Sequence, residues 1–190
     1  GFDKVYGMLH GIQGLLDEQY IDLSTQIHSE LDIELLKRTP SAFLGSCRYK
    51  LPEIHEDKAI YEKIFEILNR LDIDAFIYIG GNDSMDTIKK LSDYAILTGQ
   101  KQKFLGVPKT IDNDLWGTDM TFGFQSAINI ATDAIDCIHT TAASHNRVFI
   151  VEVMGHKVGW LTLYAGVAGG ADIILLPEIP YDIDKVVDAI

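Results

Sequence analysis

Positive charge is scarce in this chain. Against 28 Asp and Glu stand 16 Lys and Arg, a formal net charge of −12 over 190 residues. That balance argues against a nucleic-acid partner, because duplex binding rests on Lys and Arg neutralising phosphates. It also means that an anionic ligand must be caught by local positive groups, not by the overall field. Cysteine is nearly missing: Cys47 and Cys137 stand far apart without metal-ligand spacing. Reduced thiols and a cytoplasmic setting are therefore expected. No apolar run reaches the roughly 20 residues of a membrane helix, so no membrane partner is expected either. Internal repeats, low-complexity tracts and flexible linkers are lacking too. There is no initiator Met, Gly1-Phe2-Asp3-Lys4 leads straight into strand-like Val5–Leu9, and the chain stops inside a helix-like stretch, Lys185–Ile190. The expectation is a fragment.

What is present is an apolar share of 47%, ample for a core. From Ala75 onward, strand and helix signals alternate. Ala75–Ile79 is a short apolar run, and Ser84–Thr98 has helical spacing through Met85, Ile88, Leu91 and Ala95, with Gly99 as a stop. Phe104–Val107 reads as a strand, Phe124–Thr140 as a helix and Arg147–Val153 as a buried strand. Gly159–Val167 reads as a helix and Asp172–Leu176 as a further strand. Alternation of this kind indicates βαβ units and a parallel sheet. The first part is less regular: Leu31–Lys37 is helical, Ser41–Tyr49 is loop, and Ile54–Leu71 is a helix through Ile60, Ile64, Ile67 and Leu68. Tyr61, Phe65 and Leu68 belong to a core by the same spacing. A second lobe would join near Phe122–Gln125.

Open α/β sheets place ligands at the carboxyl ends of their strands. Two such ends here carry glycines, acids and a lysine. Gly80-Gly81-Asn82-Asp83-Ser84 follows the first strand, and its glycines admit a close ligand without Cβ obstruction. The helix behind it offers amides and a positive dipole end to phosphate. Equally, this is an ordinary strand-to-helix turn with Asp83 or Ser84 as N-cap, worth about 1 kcal/mol. It is not a Walker A loop, for the Gly-Lys-Ser/Thr ending is missing.

Pro108-Lys109-Thr110-Ile111-Asp112-Asn113-Asp114 is the second loop. One acid can accept a hydroxyl proton while the other holds a metal or orients its partner. Lys109 suits the charge that builds on a transferring phosphoryl group. An Asx-rich turn satisfying its own backbone is the plainer alternative. The two loops together point to phosphoryl transfer.

Read in order, these segments resemble the phosphofructokinase family. The matches are Phe43-Leu44-Gly45-Ser46-Cys47-Arg48, Gly80–Ser84, Pro108–Asp114, Ser144-His145-Asn146-Arg147, Val151-Glu152-Val153-Met154-Gly155, Ala168-Gly169-Gly170 and Pro177-Glu178. The resemblance implies a two-lobed, three-layer α/β/α fold with mostly parallel sheets. Residues 1–123 would be the donor-side lobe and 124–190 the start of the sugar-phosphate lobe. It also implies phosphorylation of the 1-hydroxyl of fructose 6-phosphate with Mg²⁺. Asp112 would be the base, with Thr110, Ile111 and Asp114 beside the sugar and the transferring group. Met154, Gly155 and His156 would hold the sugar. Gly81, Arg48, Asp83, Ser84 and Lys109 would face the donor phosphates, and Asn82 with Asp83 the metal. Arg147 would reach the sugar phosphate of a neighbouring subunit, implying a homodimer or homotetramer. ATP-dependent members usually carry Gly where Asp83 and Lys109 stand. That pair looks like the pyrophosphate-dependent branch: Asp83 would fill and repel the space of a nucleotide's α-phosphate, and Lys109 would steady the leaving phosphate. Rival readings are an ATP-dependent 6-phosphofructokinase and a non-catalytic subunit that binds sugar phosphate.

Two positions depart from the family pattern. Asn82 replaces an Asp that contacts Mg²⁺, and an amide is a poorer ligand for this hard cation. His156 replaces an Arg and cannot grip phosphate two-pronged, although Lys157 adjoins it. The family's first phosphate loop and later sugar-binding residues are not in this sequence, so the isolated 190 residues are expected to be inactive or nearly so. Among other residues, His10, His28 and His55 read as surface groups, His139 as a cation at a helix C-terminus, and His145 as structural. Trp160 reads as a packing residue, Trp116 as one that shields the acidic loop. Glu152 is either a cleft carboxylate or a paired strand-end acid.

Overall fold

The computed structural model describes residues 2–190; Gly1, where the expected cut begins, lies outside the described residues. The chain forms two compact units. One comprises the residues up to Tyr78 with Asp83–Gly106, the other Ile79–Asn82 with Val107–Ile190.

The first unit opens with β1 (Tyr6–Met8) and β2 (Tyr20–Asp22), an antiparallel pair in which Tyr6 faces Asp22 and Met8 faces Tyr20. Between them runs the short α1 (Ile12–Leu16). Helix α2 (Glu30–Arg38) buries nothing and is held by its ends: the Ser29 hydroxyl accepts from the Asp32 amide while Asp32 accepts from the Ser29 amide. The core comes from α3 (Lys58–Arg70) and α4 (Asn82–Thr98). Their apolar stripes meet through Tyr61, Ile64, Phe65 and Leu68 on one side and Leu91, Tyr94 and Ala95 on the other. Tyr61 stacks on Tyr94 at 5.2 Å, and Phe65 reaches Phe104 at 5.7 Å. Ile12, Leu15, Leu51 and Phe76 complete the cluster. Each such side chain contributes about 1.5–3 kcal/mol by leaving water.

Polar groups at the edge of this core are paired. The Tyr61 phenol donates to the Pro52 carbonyl at 2.6 Å, and burial pushes its pKa up to about 12. The buried Lys90 ammonium donates to the Leu51 carbonyl at 3.0 Å and pairs with Asp86 at 2.7 Å and Glu53 at 2.8 Å. Hydrogen bonds to those two carboxylates hold its pKa above the ordinary lysine value.

Strands β3 (Ala75–Gly80), β4 (Lys103–Thr110) and β5 (Phe122–Gly123) form a sheet in that order. β4 and β5 are parallel, with Lys109 opposite Phe122 and Thr110 opposite Gly123. The second unit continues into α5 (Phe124–His145), α6 (Trp160–Ala168) and α7 (Ile183–Asp188). α5 packs on α6 around Phe124, Ile128 and Leu161, with Ile111, Ala127 and Val153 against them.

Several boundaries differ from the sequence reading. α3 starts at Lys58, not Ile54, because Asp57 caps it through the Ile60 amide and Glu53–Asp57 close a separate turn. α4 starts at Asn82, so Asp83 and Ser84 lie in its first turn and neither is the N-cap. β4 extends to Thr110 because its last two residues pair with β5, so Pro108, Lys109 and Thr110 are strand and the loop begins at Ile111. α5 runs on to His145, which is its last residue; Asn146 in a left-handed conformation (φ 50°) closes it. Arg147–Val153 and Asp172–Leu176 are irregular, not strands, and Val148 and Ile150 are exposed, the latter at 96%. A strand exists only within a ladder, and neither segment has a paired neighbour among the described residues.

Candidate active site

The second unit brings the ends of β3 and β4 together. Gly81 lies against the backbone of Lys109, where an added Cβ would stand 3.8 Å from the Lys109 carbonyl oxygen. Neither Gly80 nor Gly81 takes a positive φ. The expected glycine turn is therefore ordinary backbone, and its glycines serve for close approach alone. Directly beyond, the Asn82 side-chain amide donates to Asp114 Oδ2 at 2.6 Å. The other carboxylate oxygen, Asp114 Oδ1, is buried without a partner.

The loop between β4 and β5 is fixed by its own short polar groups. The Asp112 amide donates to Thr110 Oγ1 at 3.2 Å. Asn113 adopts a left-handed conformation (φ 54°) and accepts from the Thr121 amide at 2.8 Å. The buried Thr121 hydroxyl donates to the Thr110 carbonyl at 2.7 Å. Gly123 (φ 101°) then turns the chain into α5, with a Cβ position 3.6 Å from Ile111. Asp112 and Asp114 are half-buried and Lys109 is exposed. No sequence spacing pairs Asn113 with Thr121, eight residues on; the local signal is an Asx residue within a turn-forming run.

Met154, Gly155 and His156 belong to the same unit. Val153 and Ile111 pack on one small cluster, Phe124 with Leu161, so the acidic loop and the Met154 turn leave from a shared apolar base. Gly155 accepts from the Val158 amide at 2.9 Å, and a Cβ there would fall 2.3 Å from the Val158 carbonyl oxygen. Met154 and His156 are exposed, and Lys157 beside His156 is also exposed. Arg147 follows the far end of α5, a helix of 22 residues and hence about 33 Å long. It is not gathered with the acidic loop.

In the first unit, Asp83 is exposed in the first turn of α4, where its carbonyl accepts from Thr87 Oγ1 at 2.9 Å. Ser84 and Cys47 lie beside the Tyr78 phenol, whose pKa is raised chiefly by burial. Arg48 is exposed and lines, with His10, Gln13 and Cys47, a cavity of about 220 Å³. Trp116 is fully exposed, so it does not shield the acidic loop. Glu152 is exposed on an irregular segment, not at a strand end. The Trp160 ring lies 6.4 Å from that of Tyr164, yet both residues stay exposed, so Trp160 is not a core residue. Among the described residues no three His, Cys, Asp or Glu side chains converge as a metal cage. Magnesium does not require one, for it binds through one or two protein oxygens together with water and substrate phosphates. Within the second unit, the orphan oxygen of Asp114 suits such a demand.

The family model for phosphofructokinase matches residues 1–190. The chain belongs to the phosphofructokinase family. It is 43% identical over 191 residues to the ATP-dependent 6-phosphofructokinase of Spirochaeta thermophila, covering 97% of this chain and 49% of that one. It is 46% identical over 157 residues to the pyrophosphate–fructose 6-phosphate 1-phosphotransferase of Amycolatopsis methanolica, covering 83% and 43%. The solved pyrophosphate-dependent phosphofructokinase of Marinobacter aquaeolei matches with a TM-score of 0.85 and 37% identity, over 99% of this chain and 48% of that one. The α/β phosphofructokinase fold follows from this likeness, and the chain spans about half the length of these relatives.

Proposed function

We propose that the protein carrying this sequence transfers a phosphoryl group from pyrophosphate to the 1-hydroxyl of fructose 6-phosphate, giving fructose 1,6-bisphosphate. The observation that carries the reading is the Asp112–Asp114 loop, pinned by Asn113 and Thr121 beyond Lys109 and tied to the start of α4. Asp112 takes the hydroxyl proton, the freed oxygen attacks phosphorus, and the bridging P–O bond breaks toward the leaving phosphate. Thr110, Ile111 and Asp114 line the sugar and the transferring group, and Lys109 offsets the charge of the departing anion. Met154 and Gly155 hold the sugar through their backbone, and His156 with Lys157 supplies polar contact. Gly81, Ser84 and Arg48 face the donor.

Asn82 and Asp83 would hold Mg²⁺, with donor phosphate oxygens and water completing its shell. Bound there, the cation neutralises part of the donor's charge. The donor assignment rests on Asp83 and Lys109, where ATP-using relatives of this type usually have glycine. The likeness to a relative named as ATP-dependent keeps ATP as the second reading. Residues 1–123 are assigned to the donor-side lobe and 124–190 to the sugar-side lobe. Arg147 is assigned to the sugar phosphate of a neighbouring copy, so the full-length protein would be a homodimer or homotetramer.

Assaying the full-length protein with each donor tests the reading. Turnover with pyrophosphate and little with ATP is the expected result. The reverse preference overturns the donor assignment, and silence with both overturns the enzyme. Asp83→Gly with Lys109→Gly should shift the preference toward ATP.

A further inference from the structure

We infer that Asn82 is a positioning residue whose side-chain amide clamps one oxygen of Asp114, leaving the other as a fixed acceptor for an O–H group brought by the reactants. Three observations converge on this pair. Asn82 Nδ2 lies 2.6 Å from Asp114 Oδ2 across 32 positions of sequence. Asp114 Oδ1 is buried and has no partner. The loop carrying Asp114 is independently pinned through Asn113 and Thr121, so little motion is left to the carboxylate.

Only the nitrogen end of an amide can face a carboxylate oxygen at this distance, because two acceptors repel. An Asp at position 82 could not donate to Asp114, and the two carboxylates would repel unless a cation stood between them. The neutral side chain that makes Asn82 a poor metal ligand is thus the one that can hold its neighbour still. A buried acceptor without a partner carries a desolvation penalty until something donates to it. The donor chemistry is an O–H group, either a hydroxyl of the sugar or a water carried by a cation.

The inference rests on the phosphoryl-transfer reading, and its test separates the two. In the full-length protein, Asn82→Ala should lower kcat about tenfold while the KM values for sugar and donor change less than about threefold. Asn82→Ala placed on Asp114→Ala should cost nothing further, because the clamp then has no target. Independent, multiplying effects overturn the proposal, as does full activity in Asn82→Ala.

A second readout needs no turnover. With asparagine labelled by ¹⁵N, the one Asn82 side-chain proton that faces Asp114 should exchange more slowly than its geminal partner, and Asp114→Ala should abolish that difference. Adding MgCl₂ alone or fructose 6-phosphate alone then distinguishes the O–H source by which one shifts the Asn82 signal. Silence toward both overturns the proposal. An unmutated protein that shows the protected amide but no transfer overturns the phosphoryl-transfer reading and leaves the clamp standing.

Discussion

The two units of this chain bury apolar surface in different ways. The first closes a core on itself: Tyr61, Ile64, Phe65, Leu68 and Leu91 all lie within 2% of full burial. The second gathers its apolar residues on a small cluster at Phe124, Ile128 and Leu161 and leaves Val148, Ile150, Met154 and Phe122 in water. The acidic loop is anchored in that second unit. Its geometry is kept by short polar side chains and backbone amides more than by packing. A site held in this way has its chemistry separable from stability, whereas in the first unit volume and stability are one quantity.

The sharpest way to expose that separation is Asp112→Asn in the full-length protein. Transfer should fall about a thousandfold while the melting temperature stays unchanged. A matching fall in melting temperature would show the loop to be structural. Next in size, Leu68→Ala should cost roughly 3 kcal/mol through transfer and cavity terms, read by denaturant unfolding. Its counterpart Ile150→Ala, in the 190-residue chain, should stay within about 0.5 kcal/mol. Equal losses would erase the contrast between the units. Gly155→Ala should cost about 2 kcal/mol, because its Cβ meets the Val158 carbonyl. That places one rigid point in an otherwise open segment, and it should raise the KM for the sugar.

The smallest effect concerns pH. Burial raises the Tyr61 pKa from 10.0 to about 12 in the folded state. A folded value above the unfolded one means the contribution is complete below pH 10 and is lost as pH rises through 12. The loss is about 3 kcal/mol at most. Tyr61→Phe should flatten the difference in denaturation midpoint between pH 9 and 12, at a neutral-pH cost of about 1 kcal/mol from the bond to Pro52. An unchanged alkaline slope in the variant would assign the slope to other tyrosines.

Periodicity was a good guide wherever partners are close in the chain. The stripe through Tyr61, Phe65 and Leu68 is buried against α4 as its spacing requires. β4 read short because pairing with β5, twelve residues on, extends it, and no spacing in Phe104–Thr110 encodes that neighbour. Arg147–Val153 and Asp172–Leu176 have strand composition, yet composition does not supply a ladder. Trp116 misled for a related reason: an aromatic beside an acidic run says nothing of which way it points.

In the candidate site, residue types were legible and couplings were not. Asp112, Asp114 and Lys109 stand out because open α/β sheets place their ligands at the carboxyl ends of strands, where acids and a lysine suit phosphoryl chemistry. The bond from Asn82 to Asp114 joins the first residue of α4 to the loop after β4 and left no local trace. The sequence on its own determined the family, the α/β alternation and the identity of the chemical groups, since these depend on order along the chain and on side-chain type. The structure alone decided which carboxylate oxygen is taken, which is buried without a partner, and which apolar segments find cover. Those depend on distances between residues far apart in sequence, and only the folded backbone sets them.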